Sequence, residues 1–134
     1  MASHLSALRR QLRSLQQEAD ELLAPFLGRA PLLAGSVYTL RRRCGKPNCR
    51  CSQGQLHATE VLAYRGQGRL QNITPRPQDL PALRRLTEAY RRFRQARAAL
   101  VKLHRQTLAA VDRIEALRRD QGERTFRSLG GRGT

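Results

Sequence analysis

The sequence predicts an α+β protein, mainly α. It has an N-terminal helix, a small three-stranded antiparallel sheet carrying a zinc-clip-like loop, and a long C-terminal helix packing as a coiled coil. Three observations predict this. Apolar residues recur at alternating spacings of 3 and 4 near both ends of the chain. The stretch between is rich in β-branched and aromatic residues, broken by Gly and Pro. All three cysteines fall in one short string inside that stretch.

The first helix carries Leu5, Leu8, Leu12, Leu15, Ala19, Leu22 and Phe26 on one seam. Ser3 or His4 is placed to cap its start, and Pro25 and Gly28 to end it, giving a segment 1–27. The β element covers 28–77. Ser36–Leu40 reads as a strand running into Arg41-Arg42-Arg43, Ala58–Arg65 as a second and Arg69–Thr74 as a third. Gly66-Gln67-Gly68 is a three-residue hairpin loop between the last two. Three strands alone are marginal, so the sheet needs helices or a metal to hold it. Asp79 as N-cap and Pro81 in the first turn start a second helix over 78–121. Its seam is Leu86, Ala89, Phe93, Ala96, Leu100, Leu103, Thr107, Ala110, Ile114 and Leu117. The tail, 122–134, reads as disordered. A short helix folded back on a long one leaves about half of the long seam uncovered, which predicts a homodimer or docking on a larger protein through 86–117.

At 134 residues with three Phe, three Tyr and no Trp, the chain can bury a thin helical core but not a deep, varied cavity. Net charge is +16. Residues 28–105 hold seventeen Arg and Lys side chains against only Glu60, Asp79 and Glu88, so the excess is a localised basic surface. Such a surface attracts polyphosphate by counterion release. No apolar run is long enough for a membrane span, and the N-terminus lacks a signal-peptide core, so the expectation is cytoplasmic with no membrane partner.

Cys44, Cys49, Cys51 and His57 follow the spacing C-x4-C-x-C-x5-H. Three thiolates and an imidazole are the donor set of tetrahedral zinc, and Gly45-Lys46-Pro47-Asn48 is a turn that lets Cys44 curl back toward Cys49. The alternatives are three free thiols beside a surface histidine, or redox chemistry. Neighbouring Arg41, Arg42, Arg43 and Arg50 are expected to depress the thiol pKa values. Catalysis is not expected. The only carboxylate near the cluster is Glu60, and there is no H-x-E pattern, paired-carboxylate constellation or phosphate-binding loop.

The string Arg43-Cys44-Gly45-Lys46-Pro47-Asn48-Cys49-Arg50-Cys51, with a histidine shortly after, two strands and a long charged helix, resembles a family of short uncharacterised bacterial proteins. Their genes often lie beside transposases and other mobile-element genes. The resemblance covers roughly residues 35–105 and implies a mobile-element accessory role without supplying a mechanism. Members usually continue His-Gly-Pro and an aromatic, where this chain has His57-Ala58-Thr59-Glu60.

Together these readings predict a non-enzymatic nucleic-acid-binding accessory protein acting on duplex DNA or structured RNA. Arg41, Arg42, Arg43, Lys46 and Arg50 would contact phosphate near the clip, and Arg84, Arg85, Arg91, Arg92, Arg94 and Arg97 would extend that contact along the second helix. The alternative is a coiled-coil adaptor docking on a transposase or recombinase-like enzyme.

Overall fold

The computed structural model describes residues 2–130, the side chains of residues 2 and 3 excepted. The elements are α1 (Ala2–Glu21), α2 (Ala24–Leu27), β1 (Gly35–Arg42), β2 (His57–Gly66), β3 (Arg69–Ile73) and α3 (Leu80–Ser128). They fall into two compact units. One comprises α1, α2 and the chain from Ala96 onward; the other is Gly28–Gln95. The helix α3 is continuous over 49 residues and contributes to both.

In the helical unit the heptad pattern is the burial pattern. Leu5, Leu8 and Leu15 are buried, with Leu12, Ala19, Leu22 and Phe26 half-buried. From residue 91 to the end of α3, the only residues not exposed are Phe93, Ala96, Leu100, Leu103, Thr107, Ala110, Ile114 and Leu117. Leu15, Leu103 and Ala110 form the buried cluster, with Ala19 and Leu22 packed against it. The seam of α3, Leu86 through Leu117, is thus buried or half-buried within one chain. The uncovered half-seam on which the expected dimer rested is not there.

Three helix limits differ from the sequence reading. Ser3 and His4 lie inside the first turn of α1, which begins at Ala2, so neither takes the capping position; the side chain of Ser3 lies outside the described residues. The first helix breaks after Glu21 and resumes as the single turn α2. Pro25 is the cause: its ring excludes the carbonyl four residues earlier, but it is tolerated in the first turn of a new helix. At the other end α3 runs past Gly122 to Ser128, through part of the segment read as disordered. One glycine costs a helix only about 1 kcal/mol, and Arg124 pairs with Asp120 across that turn. The stop comes at Gly130, whose φ of 88° is the left-handed end that glycine permits. Residues 131–134 of the expected tail lie outside the described residues.

In the sheet unit the strands form an antiparallel meander in the order β1-β2-β3. Tyr38 pairs with Val61 and Arg42 with His57, while Leu62 pairs with Ile73. The β2–β3 loop is the two residues Gln67 and Gly68, at φ 54° and 77°, rather than three. Two consecutive positive φ values define a type I′ turn, whose twist suits a tight hairpin. Because side chains alternate along a strand, Glu60 and Leu62 share one face with Val37. The start of α3 meets that face: Arg84 pairs with Glu60 at 3.0 Å, and the Leu33 N–H bonds to the Leu86 carbonyl at 3.2 Å. Asp79 does not stand free as a cap. Its carboxylate holds Arg76 at 2.9 Å, and a short 3-10 turn, Pro77–Asp79, leads into α3.

Candidate metal centre and its basic surroundings

The hairpin β1–β2 brings the four sequence-predicted ligands together. Arg42 opposite His57 closes the ladder, so the chain between them must return within fourteen residues. It does so through Gly45, at φ 81°, and a 3-10 turn over Arg50–Gln53 ended by Gly54 at φ 103°. The Cys49 N–H bonds to the Lys46 carbonyl, and the Ser52 and Gly54 N–H groups to the Cys49 and Cys51 carbonyls. Ser52 was not singled out in the sequence, but its hydroxyl donates to the Cys49 carbonyl at 2.7 Å and locks the turn. A serine directly after the last cysteine is the signal for such a local bond.

The ligand atoms of Cys44, Cys49, Cys51 and His57 all lie within 4.8 Å of one another. Cys44 Sγ and Cys51 Sγ are 3.4 Å apart, and Cys49 Sγ is 3.0 Å from His57 Nε2. In a tetrahedron with bonds of about 2.0–2.3 Å, ligand atoms stand roughly 3.3–3.8 Å apart. Those two separations lie within about 0.3 Å of that range, so the four side chains could together hold a single small metal ion. Cys51 is buried, at 1% exposure, and Cys44 is exposed. The backbone N–H of Cys44 donates to Cys51 Sγ at 3.2 Å, the kind of outer-shell bond that orients a thiolate.

The thiols are not uniformly acidic, and arginine is not what shifts them. A backbone hydrogen bond at Cys51 is the largest influence lowering Cys49, and the Cys44 N–H is the largest lowering Cys51. At Cys44 the Lys46 backbone pulls the thiol down. The Cys51 sulfur, burial and Cys49 outweigh it and leave Cys44 above its ordinary value. This corrects the expectation that flanking arginines depress all three. Arg41, Arg42, Arg43 and Arg50 are all exposed, and charges in water are screened.

Glu60 is turned away from this cluster's chemistry. It accepts from the Thr39 hydroxyl at 2.6 Å and from Arg84 at 3.0 Å. Around the loop, Arg41, Arg42, Arg43, Lys46 and Arg50 are all exposed, and none has an ion-pair partner among the described residues. Arg42, Arg43, Lys46 and His57 line an open cleft of about 620 Å³ together with Ala58 and Thr59, which the sequence reading had not included. The α3 arginines divide. Arg84 is held by Glu60, and Arg91 and Arg92 share Glu88 at 2.6 and 3.3 Å. Arg91 is the chief reason the Glu88 carboxyl sits below its ordinary value. Arg85, Arg94 and Arg97 carry no ion pair among the described residues.

A three-stranded sheet with four possible metal ligands gathered on the β1–β2 connection, in a mainly helical chain, defines an α+β protein with a candidate metal site. More particularly, the chain matches the family described as Domain of unknown function (DUF6788) over residues 5–85, and it belongs to that family. The match takes in α1, the sheet and the four clustered cysteine and histidine residues. No curated protein and no solved structure matches the chain. Among the described residues no helix is long and apolar enough to cross a membrane.

Proposed function

We propose that the protein is a non-enzymatic nucleic-acid-binding accessory factor in which zinc at Cys44, Cys49, Cys51 and His57 pins a basic β element against phosphate. The observation that carries this reading is a coincidence within one loop. The four ligand atoms converge within 4.8 Å, while the exposed cations beside them have no carboxylate partner among the described residues. Zinc bound there would supply a cross-link between β1, the loop and β2. It would also cancel thiolate charge and leave the surrounding field more positive.

Arg42, Arg43 and Lys46 line the cleft beside the clip, and Arg85 and Arg94 are further cations of the same unit with no ion pair among the described residues. Phosphate contacts of this type give affinity with little sequence preference. The resemblance carried by the string from Arg43 to Cys51 is the ground for a bacterial, mobile-element setting. A filter-binding series against duplex DNA and structured RNA over a range of salt tests the reading. Binding should fall linearly in log–log form, and charge removal at Arg42, Arg43 and Lys46 together should flatten the slope by about 2–3. A slope unchanged by the triple substitution would remove the cleft from the interface.

A further inference from the structure

With its seam consumed inside the chain, α3 still exposes a second apolar stripe. Val101, Leu108 and Val111 are 37%, 62% and 41% exposed. His104, also exposed, lies between them. These four recur at spacings of 3 and 4, so they share one side of the helix, next to the buried seam and apart from it. Arg97 precedes the stripe on the same side and Glu115 follows it. Both are exposed, and neither has an ion-pair or hydrogen-bond partner among the described residues.

The order along this stripe is self-complementary. Residues 101 and 111, 104 and 108, and 97 and 115 are each equidistant from position 106. Turning a second copy about a two-fold axis at that position places valine on valine and His104 on the partner subunit's Leu108. Arg97 then meets Glu115 of the partner subunit. A parallel arrangement would set Arg97 against Arg97 of the partner subunit. The next residues outward, Arg94 and Arg118, would oppose like charges in the antiparallel pair and so bound the contact at about 27 Å of helix.

We infer that this stripe is an isologous dimer interface, in which α3 packs antiparallel on α3 of a second copy. The reason is a combination that two-fold symmetry selects: an apolar centre, a cation at one end and a matching anion at the other. A contact this short belongs at the small end of stable interfaces, so the dimer forms at micromolar concentration. The inference does not rest on the proposed nucleic-acid binding.

Sedimentation velocity of the intact protein at about 0.15 M salt tests it, comparing the parent chain with Arg97→Glu, Glu115→Arg and the double reversal. Each single reversal should weaken dimerisation roughly tenfold, and the double reversal should restore it. Leu108→Glu should give a monomer with unchanged far-ultraviolet circular dichroism. A parent chain that stays monomeric at tens of micromolar, or a dimer in which the double reversal is no better than the singles, would overturn the inference.

Discussion

Cys49 Sγ lies 3.0 Å from His57 Nε2, tying the loop that leaves β1 to the first residue of β2. His57 therefore serves two roles. It closes the ladder opposite Arg42 and stands beside the three cysteines as the fourth possible metal ligand. Replacing it with Asn keeps a polar residue at the strand head but removes the fourth donor. We expect one zinc per chain for the parent protein and at least about a hundredfold weaker binding for His57→Asn, beyond the 10–100-fold typical of lost outer-shell partners. Competition against a chromophoric chelator measures it. Equal affinity in the two proteins would show that His57 is not a ligand.

Metal uptake should be proton-coupled, with a sign set by Cys44. Its thiol stands above the ordinary value, so it is protonated at pH 7 in the metal-free protein. Cys49 and Cys51 are lowered and lose their protons more readily. Binding must expel the Cys44 proton, so apparent affinity rises with pH, by at least about tenfold per unit, and falls as acid is added. Calorimetry in buffers of different ionisation enthalpy counts the released protons. A count near zero at pH 7 would contradict this assignment.

Gly35 opens β1 against the backbone of β2. A Cβ at this position would fall on the Ala63 carbonyl oxygen and within 2.7 Å of Tyr64 Cβ. Neither can withdraw, because Ala63 and Tyr64 are in the ladder with both neighbours. Gly35→Ala should cost about 1–3 kcal/mol, as overpacking does. Denaturant unfolding of the metal-loaded protein checks it. The same change at Gly68, where a Cβ would meet nothing but φ is 77°, should act through backbone strain alone.

The helical unit has its own keystone in Leu103, 5% exposed and packed with Leu15 and Ala110. Leu103→Ala should cost about 2–5 kcal/mol while leaving zinc affinity unchanged, because the ligands belong to the other unit. Loss of zinc binding together with stability would show that the two units fold as one.

Both heptad seams and all four ligands could be read from the sequence, because each is a pattern of spacing that the backbone must honour. Leu5 to Phe26 and Leu86 to Leu117 map onto buried or half-buried positions without exception. What escaped was the balance between local preferences. Pro25 reads as a stop, yet it restarts a turn; residues 122–134 read as tail, yet the helix runs on to Ser128 because a single glycine costs it little. The cause of the thiol shifts was also hidden. Backbone N–H groups reach the sulfurs only once the loop is folded, whereas arginine neighbours are visible in the string. Glu88 is visible in the sequence as one of three acids over residues 28–105, but its capture of both Arg91 and Arg92 depends on rotamers.

The central claim, that a metal-pinned basic clip holds nucleic acid, is tested most directly by fluorescence anisotropy. Labelled duplex DNA and a structured RNA would be titrated with purified protein at about 0.15 M salt, with stoichiometric zinc and again after chelation. The account predicts submicromolar binding to at least one of them, weakened by chelation and recovered when zinc is returned. Binding only at low salt, equal for both ligands and indifferent to the chelator, would contradict it.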